Sequence, residues 1–268
     1  LDLDACEILK TEDNVYPEAG AWAPFTREDT WGGRDVHCWF RAKAVIPGSF
    51  SGKAVVFRLK TGREGQWDAT NPQFLLYVNG NLVMGMDVNH TEAELTACAQ
   101  SGETYEIVLR AYSGMIDAAS AFQSAILILD KNVEKLYYDI KVPLDACVLL
   151  DSEDTRRIDI LDYLNTAVRM LDLREPFSKD YYRSVGAATA YMENEFYSKF
   201  CNPNGDVTAV SVGHTHIDVA WLWRLRQTRE KTVRSFATVL SLMEQYPDYI
   251  FMSSQPQLYK YVKEDCPE

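Results

Sequence analysis

Short apolar segments that end at turn-forming residues dominate the first 150 residues and constrain the fold more than any other feature. Such segments occur at 39–46, 54–59, 74–78, 104–110, 125–129 and 135–140. Asn79-Gly80 is the preferred pair for a tight type I′ hairpin, because both positions need positive φ, and residues 82–84 supply a returning strand. This spacing predicts an antiparallel, jelly-roll-like β-sandwich over residues 1–150.

The pattern changes to helical spacing after residue 150. One predicted helix places apolar side chains on one face at Ile158, Leu161, Leu164, Val168 and Leu171. The apolar run stops at Pro176, which lacks the backbone donor that a helix needs. A second predicted helix opens near Ser178 and has its apolar face at Tyr181, Val185, Ala188, Met192 and Phe196. We therefore predict a helical bridge over residues 151–204.

Residues 205–268 have the pattern of a strand, a helix and a second strand. The predicted elements are a Val-rich strand at 207–212, an amphipathic helix at 226–246 and a strand at 249–254. A parallel sheet of two strands cannot cover both its faces, so this βαβ unit is expected to begin a larger domain. The fold class predicted for the chain is multidomain α+β.

Three polar side chains follow the Val-rich strand, at His214, His216 and Asp218. Side chains alternate faces in an extended backbone, so these three fall on one side and can converge on one point. Histidine and carboxylate ligands are typical of zinc sites, and in α/β folds such groups gather at the carboxyl ends of strands. All three residues are candidate metal ligands on spacing alone.

Composition excludes several classes of protein. A net charge of −12 argues against nucleic acid as a partner, because the phosphate backbone requires a basic surface. No apolar run reaches the roughly 18 residues of a membrane span. The six cysteines lie far apart with no C-x-x-C pair, which favours reduced thiols and a cytoplasmic protein.

The segment Gly213-His214-Thr215-His216-Ile217-Asp218-Val219-Ala220-Trp221-Leu222-Trp223 resembles the first catalytic motif of glycoside hydrolase family 38, the α-mannosidases, and is closest to their bacterial and cytosolic-type branch. The usual Pro-Gly of this motif is Val219-Ala220 here. The resemblance implies that His216 and Asp218 are ligands of a divalent metal, normally zinc, and that Trp221 and Asp218 bind the substrate, with Trp221 in the wall of the mannose subsite. It does not make His214 a ligand.

A second similarity to the same family covers residues 252–259 and the segment up to 267, which resemble the second strand of the catalytic barrel and the segment after that strand. The family implies a retaining α-mannosidase that acts on oligosaccharides and has a (β/α)7 barrel. The nucleophile, the general acid and the remaining ligands are expected beyond residue 268. The chain by itself is therefore predicted to be inactive, and its open sheet edge would favour a homo-oligomer.

Two other functions fit part of the pattern. A metal-dependent amidohydrolase also places H-x-H after its first barrel strand, but there both histidines, including His214, are ligands. Alternatively, the sandwich is a carbohydrate-binding module and the H-x-H is incidental.

Weaker candidate sites also occur. They are a second metal site at Asp87 and His90, a sugar platform of Trp22, Trp31, Trp39 and Trp67, and substrate contacts from Arg224, Arg226, Arg229 and Glu230. For each set we favour a structural or solvent-exposed role over a functional one, except for Arg226, for which both roles stay open.

Overall fold

The computed structural model of the protein describes residues 1–3, 6–11, 21–65, 72–201 and 208–267. The chain forms two compact units, one made of Leu1–Ile128 with Val210–Glu268 and the other of Leu129–Ala209. The predicted domain boundaries at residues 150 and 204 stay a prediction. Within the described residues, no helix has the length and apolar character needed to cross a membrane.

Three antiparallel sheets make up the strand-rich part of the first unit. Its strands are β1 Cys6–Thr11, β2 Ala23–Phe25, β3 Trp31–Gly32, β4 His37–Val45, β5 Ala54–Lys60, β6 Gln73–Val78, β7 Asn81–Met86, β8 Glu92–Thr96, β9 Thr104–Tyr112, β10 Ala119–Ser120 and β11 Gln123–Leu129. The largest sheet has the order β2-β1-β4-β9-β6-β7, a second has β11-β5-β8, and a third pairs β10 with β3. The strand pairs within the largest sheet are antiparallel, as the sequence predicted.

One hydrophobic core joins the two larger sheets. Phe40 of β4 and Phe74 of β6 lie in the same buried cluster as Phe57 of β5 and Ile126 of β11. Phe122 stacks on Phe40 with ring centroids 4.0 Å apart. Alternate side chains of each strand thus face this core, which is the period-2 pattern expected of packed sheets.

The tight hairpin between β6 and β7 is confirmed. Asn79 and Gly80 both have positive φ, at 50° and 81°. The Asn79 side chain also accepts a hydrogen bond from the Glu106 backbone amide at 2.8 Å, which ties the turn to β9. Asn79 therefore serves the turn in two ways: its backbone tolerates positive φ, and its short side chain supplies a hydrogen-bond acceptor.

The second unit is helical. Its elements are α1 Lys131–Cys147, α2 Thr155–Arg169, α3 Lys179–Tyr191, a π-helical turn at Met192–Tyr197 and α4 Ser198–Phe200. The two predicted helices are confirmed as α2 and α3, and Ser178 caps α3 by accepting a hydrogen bond from the Tyr181 amide. Their apolar faces share one buried cluster that includes Leu164, Val185 and Met192.

The strand predicted at 135–140 is wrong, because these residues belong to α1. Asp130 caps the helix by accepting from the amides of Asn132 and Val133. The apolar positions Val133, Leu136, Ile140, Pro143 and Cys147 repeat at helical spacing and form its inner face. That longer period and the cap outweigh the local β propensity of two adjacent tyrosines, Tyr137 and Tyr138, which remain exposed.

The C-terminal part of the first unit holds α5 Leu225–Gln245 and α6 Pro256–Asp265. The predicted helix at 226–246 is thus confirmed. The predicted strands on either side of it form only one isolated parallel bridge, between Gly213 and Phe251. Residue 207, the first of the predicted strand at 207–212, lies outside the described residues. The bridge keeps the parallel direction that a βαβ unit requires.

Helix α5 packs directly on strand β7 at Gly85. The Thr238 hydroxyl accepts from the Gly85 amide at 3.1 Å, and its single proton is shared between the carbonyl oxygens of Gly85 at 3.1 Å and Arg234 at 2.9 Å. A Cβ atom at Gly85 would lie 2.7 Å from the Arg234 carbonyl oxygen. Glycine is therefore required here for close approach of the two backbones, although its φ is not positive.

We expect Gly85→Ala to lower the free energy of unfolding of the first unit by about 1–3 kcal/mol, because the added methyl group must push α5 away from β7. Gly48→Ala is the matched control, since a Cβ atom there would meet only the Ser101 Oγ at 3.6 Å. Urea unfolding followed by tryptophan fluorescence measures both. Equal stabilities for the two variants would contradict the close contact.

Candidate functional site

The candidate site is a loop that begins at the parallel bridge and runs to the start of α5. Gly213 donates to the Ile250 carbonyl at 2.7 Å and accepts from the Met252 amide at 2.9 Å. A side chain at Gly213 would meet the Tyr249 phenol ring. The glycine therefore lets the two chain segments pair beneath the loop that carries the candidate ligands.

The structure brings His216 and Asp218 together. The His216 Nε2 atom lies 3.0 Å from the Asp218 Oδ1 atom, and 66% and 46% of these two side chains are exposed. His214 is exposed as well. Within the part of the chain that the structure describes, no three His, Cys, Asp or Glu side chains form a group that could hold a metal ion. The pair by itself therefore does not make up a complete set of metal ligands within the described residues.

The donor chemistry of this pair fits zinc. Imidazole nitrogen and carboxylate oxygen are both common zinc ligands, and two such atoms bound tetrahedrally at about 2.1 Å would be separated by about 3.4 Å. The observed separation of 3.0 Å needs only a small side-chain adjustment to reach that value. The exposure of both groups leaves room for further ligands.

Two tryptophans follow the ligand pair and differ in their surroundings. Trp221 is 54% exposed, whereas Trp223 is buried. Their rings meet edge to face, with centroids 5.4 Å apart. Lys231 places its ammonium group over the Trp223 ring, 4.5 Å from the centroid. The buried Trp223 ring therefore supports the Trp221 ring, which presents an exposed aromatic surface.

The loop backbone adopts an unfavourable conformation at Ala220, where φ is 89°. L-residues with a Cβ atom rarely adopt positive φ. The Ala220 amide donates to the Thr228 hydroxyl at 3.2 Å, and the Trp221 amide donates to the Trp223 carbonyl at 3.2 Å. These contacts impose a turn that its own residues would not favour.

Helix α5 buries a charged network against the six-stranded sheet. His37 of β4 and Glu230 of α5 are both about 5% exposed, and the His37 Nε2 atom lies 3.3 Å from the Glu230 Oε2 atom. Arg226 donates to the His37 Nδ1 atom at 2.8 Å. The guanidinium group can only donate, so Nδ1 accepts this hydrogen bond, while the His37 Nε2 atom lies between Glu230 and the Gln227 amide nitrogen, each at 3.3 Å.

The charges around Glu230 change its acidity. Burial raises the pKa of Glu230, but the hydrogen bond from His37 and the positive charge of Arg234 lower it to about 2. Burial lowers the pKa of Arg234 to about 10, although Glu230 opposes this shift. Arg234 also donates to Gln73 of β6. The ionised carboxylate is thus held by partners from both the helix and the sheet.

The solvent-exposed role favoured for the residues after the motif is wrong for Glu230, which is buried. Arg224 and Arg229 instead make surface ion pairs, with Asp35 at 3.0 Å and with Glu264 and Asp265 of α6.

Asp87 and His90 lie in the loop after β7, and their geometry favours the structural role. The Asp87 Oδ1 atom accepts from the amides of Asn89 and His90, each at 2.8 Å, and lies 3.1 Å from the His90 Nδ1 atom. The hydrogen bond that His90 donates to the Asp87 carboxylate raises the pKa of His90. Burial raises the pKa of Asp87, but the contacts with His90 lower it to about 2. The carboxylate closes a turn, as Asp commonly does.

The tryptophans of the sandwich do not form a common platform within the described residues. Trp31 and Trp39 are 3% and 4% exposed, which confirms core packing. Trp22 is half-buried, with the Arg41 guanidinium 4.3 Å from its ring centroid. Trp67 lies outside the described residues.

Sequence patterns missed Thr228, which is fully buried and contacts the candidate loop. Gln227, Glu230, Arg234 and Thr238 form a second stripe of buried side chains along α5. Hydrophobic periodicity cannot reveal a stripe of buried polar side chains. These side chains are buried only because partners that are distant in sequence, such as His37 and Gln73, form hydrogen bonds with them.

Comparison with known proteins gives a family match over the candidate site. Residues 206–268 match the model described as "Glycosyl hydrolases family 38 N-terminal domain". The chain is 25% identical to Alpha-mannosidase G of Dictyostelium discoideum over 86% of the chain and 22% of that protein. It is 26% identical to Alpha-mannosidase 2C1 of Mus musculus, over 98% of the chain and 26% of that protein. The chain thus spans about a quarter of the length of these curated relatives.

A similar solved structure is a β-glucosidase from Kluyveromyces marxianus, at 13% identity over 51% of this chain and 17% of that one. Its TM-score of 0.33 is too low to indicate a shared fold. The family model and the curated relatives, in contrast, agree with each other and with the motif at His216 and Asp218. Residues 206–268 are therefore similar to the N-terminal domain of the family 38 glycosyl hydrolases, and the two curated relatives are named as α-mannosidases.

We expect Ala220→Gly to raise the stability of the first unit by up to about 1 kcal/mol. It removes a left-handed conformation that costs an L-residue about 1–2 kcal/mol, and part of that gain is offset by the greater freedom of glycine in the unfolded chain. Ala187→Gly, an exposed change in the middle of helix α3, should instead be destabilising by about 1 kcal/mol. Calorimetric unfolding distinguishes the signs, and a destabilised Ala220→Gly protein would contradict the strained turn.

The buried carboxylate of Glu230 should make the stability of the fold depend on pH in the acid range. The folded-state pKa of Glu230, about 2, lies below its ordinary value of 4.5, so ionised Glu230 stabilises the fold above about pH 4.5 and loses this effect as the pH falls towards 2. Glu230→Gln should therefore be less stable than wild type by about 3 kcal/mol near neutral pH, and the difference should shrink between pH 4.5 and 2.

Urea unfolding at a series of pH values measures the Glu230 effect. Glu244→Gln, an exposed change on the same helix, is the control and should change stability little at any pH in the series. A difference between wild type and Glu230→Gln that stayed constant with pH would contradict the assigned shift.

Proposed function

We propose that this chain forms part of a metal-dependent retaining α-mannosidase that cleaves α-mannosidic bonds of oligosaccharides. In this proposal His216 and Asp218 bind zinc, and Trp221 with Asp218 contacts the sugar. The observation that carries it is the 3.0 Å approach of the His216 Nε2 atom to the Asp218 Oδ1 atom. Both residues lie inside the segment that matches the family 38 model.

Retaining glycosidases use one carboxylate to attack the anomeric carbon and one carboxylic acid to protonate the leaving oxygen. We assign neither role to a residue of this chain. Bound zinc would supply a Lewis acid that holds sugar hydroxyl groups. His216 and Asp218 would hold that ion with their Nε2 and carboxylate oxygen atoms. The exposed Trp221 ring would cover an apolar face of the sugar and exclude water from it.

The state of the cysteines supports a proposal for the cellular location of the protein. None of the six cysteines, all of which lie in described residues, forms a disulfide. Reduced thiols are typical of the cytoplasm, which we propose as its location.

The acidic net charge supports a neutral glycan over nucleic acid as the partner. We also propose a homo-oligomer, because the bridge at Phe251 leaves strand-forming groups available for pairing.

Substitution of the three polar residues in the full-length protein tests this function against the amidohydrolase alternative. His216→Ala and Asp218→Ala should each weaken zinc binding at least about tenfold and abolish hydrolysis of an aryl α-mannoside. His214→Ala should keep most of the zinc, because the mannosidase proposal does not make it a ligand. Zinc content by mass spectrometry and release of the aryl group measure the two effects.

Loss of zinc in His214→Ala together with His216→Ala would instead favour the amidohydrolase. Tight sugar binding by a protein that lacks zinc would favour the carbohydrate-binding module. A wild-type protein that binds zinc but releases no aryl group from the α-mannoside would contradict the proposed substrate class.

The 268-residue chain by itself should bind zinc weakly and should not hydrolyse an aryl α-mannoside, because two ligands cannot complete a tetrahedral site. Its zinc affinity can be measured by competition with a chromophoric chelator, alongside the full-length protein as control. Measurable turnover by the isolated chain would contradict this prediction.

A further inference from the structure

Thr228, in the first turn of α5, is completely buried. Its hydroxyl group lies beneath the loop that carries His216, Asp218 and Trp221, and makes no polar contact with the six-stranded sheet among the hydrogen bonds of the described residues. A buried hydroxyl group in a helix usually bonds to its own helix backbone, four residues earlier. Thr228 does not follow this pattern, and its hydroxyl group is directed towards the loop.

The hydrogen-bonding capacity of this hydroxyl group is used completely. It donates to the Asp218 carbonyl oxygen at 3.3 Å. It accepts from the Ala220 amide at 3.2 Å and from the Trp223 indole Nε1 at 3.2 Å. A hydroxyl group has one donor and two acceptor sites, so no site is left over. One atom thus connects three points of the loop.

Trp223 reinforces the same contacts. Its indole N–H group also approaches the Asp218 carbonyl oxygen at 3.3 Å. Its ring meets the Trp221 ring at an interplanar angle of 90°. Because Trp223 is buried, the direction of the Trp221 ring depends on the position that Thr228 gives to Trp223.

The helix that carries Thr228 is itself held firmly within the first unit. Ten residues along α5, the Thr238 hydroxyl accepts a hydrogen bond from the Gly85 amide. Two residues along, Glu230 pairs with His37 of β4. The loop is therefore tied to a helix whose position on the sheet is set by buried polar contacts.

We propose that Thr228 is a positioning residue for the candidate metal site. It holds the backbone of Asp218 and Ala220 so that the Asp218 carboxylate faces His216, and through Trp223 it sets the Trp221 ring. This inference rests on the proposed function, in which His216 and Asp218 bind zinc. Thr228 contacts neither the metal nor the substrate.

The test compares Thr228→Val with Thr232→Val in the full-length protein. Valine keeps the shape of threonine but removes the hydroxyl group. Thr232 is also fully buried and lies one turn further along α5, but its hydroxyl group donates to the Thr228 carbonyl at 2.7 Å, within the helix. Thr228→Val should weaken zinc binding about 10–100-fold, as loss of a group that orients a ligand does, and Thr232→Val should not.

Zinc affinity is measured by competition with a chromophoric chelator, and circular dichroism reports whether each variant is folded. Thr228→Ser, which keeps the hydroxyl group, should restore zinc binding to near the wild-type value. The Michaelis constant for an aryl α-mannoside should rise in Thr228→Val, since Trp221 loses its support. Equal zinc affinity in folded Thr228→Val and Thr232→Val would overturn the proposal, as would a folded Thr228→Ser that loses zinc.

Hydrogen exchange in the wild-type protein keeps the inference testable if Thr228→Val does not fold. The Ala220 amide should exchange slowly, because it donates to a buried hydroxyl group. Exchange as fast as that of an exposed loop amide would overturn the positioning role. Failure of the proposed function has a different signature: wild-type protein would bind no zinc, while the Ala220 amide would still be protected.

Discussion

The close contact between helix α5 and strand β7 is the constraint on which the first unit depends. Gly85 leaves no side chain between the two backbones, and the Thr238 hydroxyl group accepts a hydrogen bond from the Gly85 amide across the gap. This contact covers the face of the six-stranded sheet that is opposite the sandwich core. A sheet that is buried on both faces needs apolar or fully hydrogen-bonded side chains on each face. This explains why His37 and Gln73 form hydrogen bonds with side chains of α5.

The same helix then determines where the candidate ligands lie. Its first turns carry Thr228 and Glu230, so contacts with the loop and contacts with the sheet come from side chains only two residues apart. The ionised Glu230 is costly to bury without partners, and its hydrogen bond with His37 and the charge of Arg234 compensate for that cost. A polar interface of this kind specifies one orientation of the helix, because a shifted helix would leave charges unpaired.

The sequence predicts those elements that depend on short-range periodicity. The hairpin at Asn79-Gly80, helices α2, α3 and α5, and the approach of His216 to Asp218 all follow from local spacing. The strand predicted at 135–140 is wrong: two adjacent tyrosines favoured a strand, but the longer apolar repeat has helical spacing and these residues belong to α1. The periodicity also misses Thr228 and the burial of Glu230, because a polar residue is buried only when distant residues supply its partners, and one sequence does not reveal those contacts.

The loop at Val219-Ala220 shows why such distant partners matter for the site. In the family motif these positions are usually Pro-Gly, and that pair would favour a turn by itself, since proline fixes its own φ and glycine accepts positive φ without strain. Ala220 adopts a φ of 89° without either property. The turn must therefore be imposed from outside, and the contacts that hold it are those of Thr228 and Trp223. A loop whose own residues do not favour its turn depends more on the helix beneath it. Changes in α5 should therefore alter the positions of the candidate ligands His216 and Asp218 without contacting them directly.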